Sequence, residues 1–288
     1  MAKQETSLRG KMETLVLDEQ IQHFLAEDLE HGDVTTDAIF RDEKGLVQAI
    51  ARQPLVACGM ERVAARVFCL LGGPVEFGEL APDGARIEAG RVLFTARGPV
   101  ATLLKGERVA LNLIQRLCGI ATLTADFVRR VEGLATRIVD TRKTTPGLRM
   151  LEKYAVRCGG GRNHRFSLSD GVLIKDNHIA ACGSLTEAVQ RIRSRVPHTL
   201  CIEVECDTLE QVREALAAGA DIIMLDNMEI ATLRKGVELI GNAAISEASG
   251  GITLDNVRAV AETGVDIISI GALTHSAPAV DIGLDWIS

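Results

Sequence analysis

Residues 218–225 read Ala-Gly-Ala-Asp-Ile-Ile-Met-Leu, and the same pattern returns at residues 263–270 as Thr-Gly-Val-Asp-Ile-Ile-Ser-Ile. A glycine that ends a helix in a left-handed turn, an aspartate that opens a strand and an apolar run buried on both faces form one repeating unit. Six such runs fill the second half of the chain: TRIVDTRK (136–143), GVLIKDN (171–177), LCIEVEC (200–206), DIIMLDN (221–227), AAISEAS (243–249) and DIISIGA (266–272). Helix-sized segments separate them. Strands that alternate with helices must run parallel in one sheet, so the expected fold class is α/β, a (β/α) barrel of about six or seven parallel strands.

The polar residues that end these runs set the chemistry. Arg142 and Lys143 follow the first run, Lys175, Asp176 and Asn177 the second, Glu203 and Glu205 stand in the third, and Asp226, Asn227, Glu247, Ser249 and Gly271 end the others. In a (β/α) barrel the carboxyl ends of the strands form the active face, so these groups are expected to converge despite their separation in sequence. Helix caps explain Asp226, Asn227 or Ser249 singly. They do not explain cations after two strands and acids after three others.

Upstream, the texture is different. Ile21, Phe24, Leu25 and Leu29 mark one face of a helix that stops before Gly32. GLVQAIARQPLVACG (45–59) reads as a strand broken at Pro54, and MERVAARVFCLLGG (60–73) as a helix closed by Gly72. The alternation of Val92, Phe94 and Ala96 points to an antiparallel sheet. Its DGxxIxxGxxL pattern resembles half of a biotinyl or lipoyl carrier domain, but no lysine sits at the matching turn and a carrier role is rejected. Residues 100–131 are helical, in two expected pieces around Gly119. At the far end Val280, Ile282, Leu284 and Trp286 keep a period of two, the signature of a strand that leaves the barrel to join the first sheet. The expected organisation is an N-terminal α+β sandwich domain, residues 1–117 joined by a strand within 276–288, and a barrel domain, residues 118–275.

Composition narrows the class of partner. The 288 residues carry a net charge of −7, are 47% hydrophobic and only 3% aromatic. Nucleic-acid binding needs a basic surface or a stacking platform, and one Trp and one Tyr build neither. No run has the length to cross a bilayer, and residues 1–20 lack the apolar core of a secretory signal. Seven cysteines, odd in number and without a CxxC pair, read as reduced and mostly buried thiols of a cytoplasmic protein.

Against this acidic background, residues 141–175 carry eight cations and only two acids, Glu152 and Asp170, for a local charge of +6. Arg matches carboxylates and phosphates two bonds at a time, so the stretch suggests a site for a small polyanion. Within it, the helical segment LRMLEKYAVR (148–157) reads as a solvated face, which accounts for Arg149, Lys153 and Arg157 as surface charge. Arg142, Lys143, Arg165 and Lys175, near the ends of apolar runs, are the site candidates. His164, between Arg162 and Arg165 and after Gly159, Gly160 and Gly161, joins them.

Strand alternation puts Glu203 and Glu205 on one face, with Asp226 one strand on. These acids can hold Mg²⁺ on a substrate phosphate, exchange protons, or simply pair with Lys175. No two His stand at ligand spacing on one helix, which argues against catalytic zinc. EASGGI (247–252) and SIGALTH (269–275) each bring small residues to a helix start after the last two strands, where barrels commonly bind the phosphate of a sugar. Lys175 also raises the alternative of a Schiff-base lyase or aldolase.

These motifs together resemble a known family. DTRKTTPGLRMLEKYAV (140–156), GGGRNHRFSLSDGVLIKDNHI (159–179), the EVEC and MLDN strands, EASGGI and SIGALTHSAPAVDI (269–282), with EDLEHGDVTT (27–36) and GERVALNLIQRLCGIAT (106–122), are similar to quinolinate phosphoribosyltransferases over nearly the whole length. The resemblance implies transfer of a phosphoribosyl group from phosphoribosyl pyrophosphate to quinolinate with loss of CO₂, aided by Mg²⁺, in NAD biosynthesis. It implies a homodimer in which Arg108 reaches the neighbouring subunit's site. It assigns the quinolinate carboxylates to Arg142, His164, Arg165 and Lys175, beside Thr141. Lys143, Glu205 and Asp226 would serve the pyrophosphate, ribose and metal, with Lys143, Lys175, Glu205 and Asp226 as the catalytic set. Ser249, Gly250, Gly251, Ile270, Gly271 and Ala272 would hold the 5-phosphate. Glu203 receives no role.

Overall fold

The computed structural model describes residues 8–287. Helix α1 (Leu8–Leu29) buries Ile21 and Leu25 from its expected face, and Gly32, at φ +85°, turns the chain beyond it. A short helix α2 (Val34–Ile39), capped by the Asp33 carboxylate on Thr36 N, leads into β1 (Lys44–Ala51), where Val47, Ala49 and Ala51 are buried in alternation. Pro54 lies just past the end of that strand, as expected of a residue without an N–H, and β2 (Leu55–Val56) beyond it belongs to a separate two-stranded sheet. A π-helical segment (Met60–Ala65) runs into α3 (Arg66–Leu70), then β3 (Glu76–Gly78), β4 (Arg86–Ile87) and β5 (Val92–Pro99) follow. Phe68, Phe77 and Phe94 pack together with ring centroids 6.1 to 6.4 Å apart, so three of the few aromatics share one core.

Helix α4 (Val100–Arg130) is one continuous helix of 31 residues, not the two pieces expected around Gly119. Gly119 is there for another reason. A Cβ on it would lie 2.0 Å from the carbonyl oxygen of Pro278, so the glycine lets the returning chain lie against the helix. Val280 N then donates to Gln115 O and Gln115 Nε2 donates to Ile282 O.

The parallel strands come next: β6 (Arg137–Val139), α5 (Arg149–Cys158), β7 (Val172–Ile174), α6 (Asp176–Cys182), α7 (Leu185–Arg193), β8 (Ile202–Cys206), α8 (Leu209–Ala218), β9 (Ile222–Asp226), α9 (Ile230–Ile240), β10 (Ile245–Ser249), α10 (Val257–Ala261), β11 (Ile267–Ser269) and α11 (Ala272–His275). Their sheet order is β6-β11-β10-β9-β8-β7, every pairing parallel. Six strands thus form the sheet, and the outer edge of β6 is taken up by Arg162 through a bridge to Val139. The repeat seen in the sequence has a structural counterpart. Gly219 and Gly264 hold φ of +79° and +87°, and Asp221 and Asp266 each accept a main-chain N–H near the start of the neighbouring strand, from Ile202 and Ser246.

The chain ends in β12 (Ile282–Trp286), antiparallel to β1 in the sheet β12-β1-β5-β3, as the period of two indicated. Two compact units result, Met1–Thr122 with Pro278–Ser288, and Leu123–Ala277. The cysteines depart from expectation. None of the seven forms a disulfide, but only Cys58, Cys118 and Cys206 are buried, while Cys69 and Cys201 are exposed.

Gly119 gives a test whose sign is opposite to helix propensity. Replacing glycine by alanine within a helix ordinarily stabilises by about 0.5 to 1 kcal/mol. Here overpacking against Pro278 O dominates, and Gly119→Ala is expected to destabilise by about 1 to 3 kcal/mol in urea denaturation.

Candidate active site

A cavity of about 490 Å³ lies at the carboxyl ends of the parallel strands. Its lining draws on all six, with Thr141, Arg142 and Lys143 after β6, Lys175 at the end of β7, Glu205 on β8, Asp226 on β9, Ser249 on β10 and Ser269 on β11. One cavity touched by every strand requires the sheet to curve into a barrel. His164 and Arg165 enter from the segment that follows α5. The structure therefore brings together nine of the expected residues: Thr141, Arg142, Lys143, His164, Arg165, Lys175, Glu205, Asp226 and Ser249. Gly250, Gly251, Ile270, Gly271 and Ala272 stand next to this lining without being part of it. Arg108 is an exposed residue of α4, 3.9 Å from Glu107.

Two of the glycines sit in tight places, and Gly250 is also held there by its backbone conformation. A Cβ on Gly250, at φ +89°, would fall 2.2 Å from Asn227 Oδ1, and one on Gly271 would crowd the Lys143 side chain at 3.1 Å. Thr274 Oγ1 donates to Lys143 O, which ties the turn after β6 to the helix that starts after β11.

Charges in the cavity are interleaved. Lys175 Nζ lies 2.6 Å from Glu205 Oε2 with nearly half of the lysine side chain exposed. Asp226 accepts from Asn227 Nδ2 at 2.6 Å, and Arg165 donates to Gly171 O at 2.7 Å. Burial holds Arg165 somewhat below the usual guanidinium range. Arg142 Nε and Ser269 Oγ are buried and make no hydrogen bond, so both keep unused capacity beside the cavity.

Glu203, which the sequence left without a role, is buried on β8 and turned to His164. His164 Nε2 lies 3.1 Å from Glu203 Oε2 and 3.5 Å from Glu247 Oε1, a buried acid on β10. Burial alone would lower the histidine, yet hydrogen bonds and charge from the two glutamates outweigh it and push it up to about 10. The Arg165 N–H, 2.8 Å from Nδ1, opposes a second ring proton. One neutral hydrogen bond is worth about 0.5 to 1.5 kcal/mol and bonds to charged groups about 1.5 to 3, so the two carboxylates prevail. The two acids thus favour the protonated ring, and Glu247 would have been found only by asking what sits opposite His164.

Lys153 corrects a second expectation. It is not on a solvated helix face: its side chain is fully buried, bonded to the fully buried Asp140 carboxylate and, at 3.0 Å, to His164 O. Burial pushes Asp140 up and Lys153 down from their ordinary ranges. Arg149 is also engaged, donating to Thr144 Oγ1 and to Phe166 O. The glycine run before His164 is a packed segment as well, since a Cβ on Gly161 would meet Thr124 and Val156 at 2.8 Å.

A curved parallel sheet whose strand ends gather cations and acids round one cavity defines an enzyme of the (β/α) barrel class built to handle anions. Two family profiles fit the chain, the quinolinate phosphoribosyl transferase N-terminal domain over residues 33–118 and its C-terminal domain over residues 120–285, and the chain belongs to this family of transferases. It is 48% identical over 274 residues to a Bacillus subtilis protein named probable nicotinate-nucleotide pyrophosphorylase (carboxylating), an alignment that covers 95% of this chain and 94% of that one. A Mycobacterium leprae nicotinate-nucleotide pyrophosphorylase (carboxylating) is 43% identical over 92% of this chain and 95% of its own. Among solved structures, the nicotinate-nucleotide pyrophosphorylase of Ehrlichia chaffeensis superposes with a TM-score of 0.90 at 44% identity, covering 93% of this chain and 98% of that one. The corresponding structure from Francisella tularensis gives 0.89 at 36% identity over 95% and 97%.

His164 generates a pH prediction. A folded-state pKa raised from about 6.5 means the native protein holds more protons than the unfolded chain between there and about 10. The stabilisation is complete below about pH 6.5 and is lost as pH rises towards 10. Urea midpoints taken from pH 6 to 10 should fall across that window, and a His164→Asn variant should lack this component of the slope.

Proposed function

We propose that this enzyme joins quinolinate to phosphoribosyl pyrophosphate and releases nicotinate mononucleotide, pyrophosphate and CO₂ for NAD synthesis. The observation that carries this reading is the single cavity in which Arg142, His164, Arg165 and Lys175 face Glu205 and Asp226. Four cations suit a compact diacid, and Arg142 with unused hydrogen-bonding capacity is placed to take a carboxylate. Lys143, Ser249 and the neighbouring Gly250, Gly251, Ile270, Gly271 and Ala272 suit the phosphates, through backbone N–H groups brought close by small residues.

The chemistry follows from holding these two anions together. The pyridine nitrogen forms a bond to the ribose anomeric carbon while the bond to pyrophosphate breaks, through a state with positive charge on the sugar that Glu205 and Asp226 stabilise. Alkylated nitrogen is cationic, so when the bond to the adjacent carboxyl group breaks, the electron pair left on the ring carbon is stabilised by that charge, and a proton then replaces CO₂. Clamping both carboxylates keeps the nitrogen, not an oxygen, towards the sugar. A Schiff-base lyase using Lys175 suits the geometry less well. That amine is nearly half exposed and ion-paired, whereas imine formation needs a neutral, desolvated amine.

Glu205 and Asp226 offer hard carboxylate oxygens from adjacent strands into a cavity with room for phosphates, which fits Mg²⁺, an ion usually held by one or two carboxylates and substrate phosphate. When bound, it would neutralise charge on the departing pyrophosphate. The protein would act in the cytoplasm as a homodimer or a larger assembly of dimers, with Arg108 of each subunit serving its partner's site; the exposure of Arg108 supports a role for it towards a second copy.

Carbon dioxide released from carboxyl-labelled quinolinate tests the reaction: release should require phosphoribosyl pyrophosphate, and no release with it present would end this reading. Arg165→Ala should then cost about 1.5 to 3 kcal/mol in kcat/KM for quinolinate, the value of a lost charged hydrogen bond. For the shared site, mixing Arg108→Ala with Lys175→Ala subunits should restore part of the activity that each variant lacks. Absence of rescue at every mixing ratio would remove Arg108 from the site.

A further inference from the structure

We infer that the buried pair of Asp140 and Lys153 is the positioning device that sets His164 and Arg165 at the cavity, an assignment that rests on the quinolinate reading of that site. Neither residue lines the cavity, and both side chains are fully buried. Their bonds go to one short segment. Lys153 Nζ donates to Asp140 and, at 3.0 Å, to His164 O; Asp140 accepts from His164 N at 2.9 Å and from Asn163 Nδ2 at 2.6 Å. Asn163 Nδ2 also donates to Lys153 O at 2.8 Å.

Stability alone does not account for such a pair. Taking two charges out of water costs so much that apolar residues of similar volume often serve a fold as well or better. What they cannot supply is a fixed address for polar groups. Here the pair receives both the N–H and the C=O of His164, so it fixes the peptide units on either side of that residue. The rest of the segment is held to match: Arg162 is bonded through its main chain to Ile138 and Asp140, and Glu203 and Glu247 hold the His164 ring. With the main chain docked from one side and the ring from the other, His164 has one position. Arg165, one residue on, takes its direction from that peptide.

The sequence places the two partners thirteen residues apart, one directly after β6 and one in the middle turns of α5. The device therefore also links the strand that carries Arg142 and Lys143 to the segment that carries His164 and Arg165. Both halves of the cation set share one anchor.

The test is the double variant Asp140→Asn, Lys153→Met, which removes both charges together and leaves an amide oxygen to accept from His164 N. With positioning as the role, the double variant still folds, with a lower thermal midpoint because the His164 carbonyl has lost its donor, the KM for quinolinate rises at least tenfold, kcat falls, and the KM for phosphoribosyl pyrophosphate stays within twofold. A folded double variant with wild-type KM for quinolinate overturns the inference, and so does an equal rise in both KM values. Should the double variant not fold, Asn163→Leu removes only the bonds to Asp140 and to Lys153 O, and its quinolinate KM should rise at least threefold; an unchanged KM overturns the inference. Ring nitrogen resonances of His164 supply a readout that needs no turnover. They should report one fixed ring environment in the wild type and exchange between environments in the variants, whereas the same signals in both would overturn the inference. Failure of the wild type to release CO₂ from quinolinate would count against the proposed function and leave the resonance test standing.

Discussion

Parallel strands impose one constraint from which the rest of this structure follows: all of their carboxyl ends emerge at the same rim. A side chain placed at the last position of any strand is delivered to that rim whatever its distance along the chain. Arg142 and Ser269 therefore stand side by side at one cavity although β6 and β11 lie at opposite ends of the second unit's sequence. The cost of the arrangement is crowding of charge. It is met by interleaving, with Lys175 against Glu205 and the His164 ring against Glu203 and Glu247, so that the cations are held apart by acids and still point to a common centre.

Much of this was legible in the sequence because periodicity and turn chemistry are local. The repeated Gly-x-Asp before an apolar run announced the parallel strands, and the aspartates at 221 and 266 do the same work in the structure. The alternation of Val280, Ile282, Leu284 and Trp286 announced the strand that returns to the first sheet. Charged residues at strand ends announced the cavity. The fold requires nothing more from them than their position relative to the apolar runs.

What escaped was decided by tertiary packing. Gly119 looks like a helix breaker in a window of sequence, but it is a place where another stretch of backbone needs room. Lys153 has the spacing of a surface residue on an amphipathic helix, and nothing local reveals that its amine is met by Asp140 and a main-chain carbonyl in the interior. Glu203 and Glu205 share one strand face and one chemical type. Their depths differ, and depth separates Glu205, partly exposed beside Lys175, from Glu203, buried beside His164. The exposed Cys69 and Cys201 belong to the same class of fact, since a thiol is as compatible with an exposed position as with a core.

The pairing of β12 with β1 has a consequence for biosynthesis. Translation delivers β1 and β5 early, but the neighbour that covers the other edge of β1 is made only after every strand of the barrel. Until then the nascent first sheet offers a row of open main-chain donors and acceptors, the kind of edge that recruits strands from other chains. Synthesis of β12 closes that edge, so a sheet begun before the barrel is completed only after it.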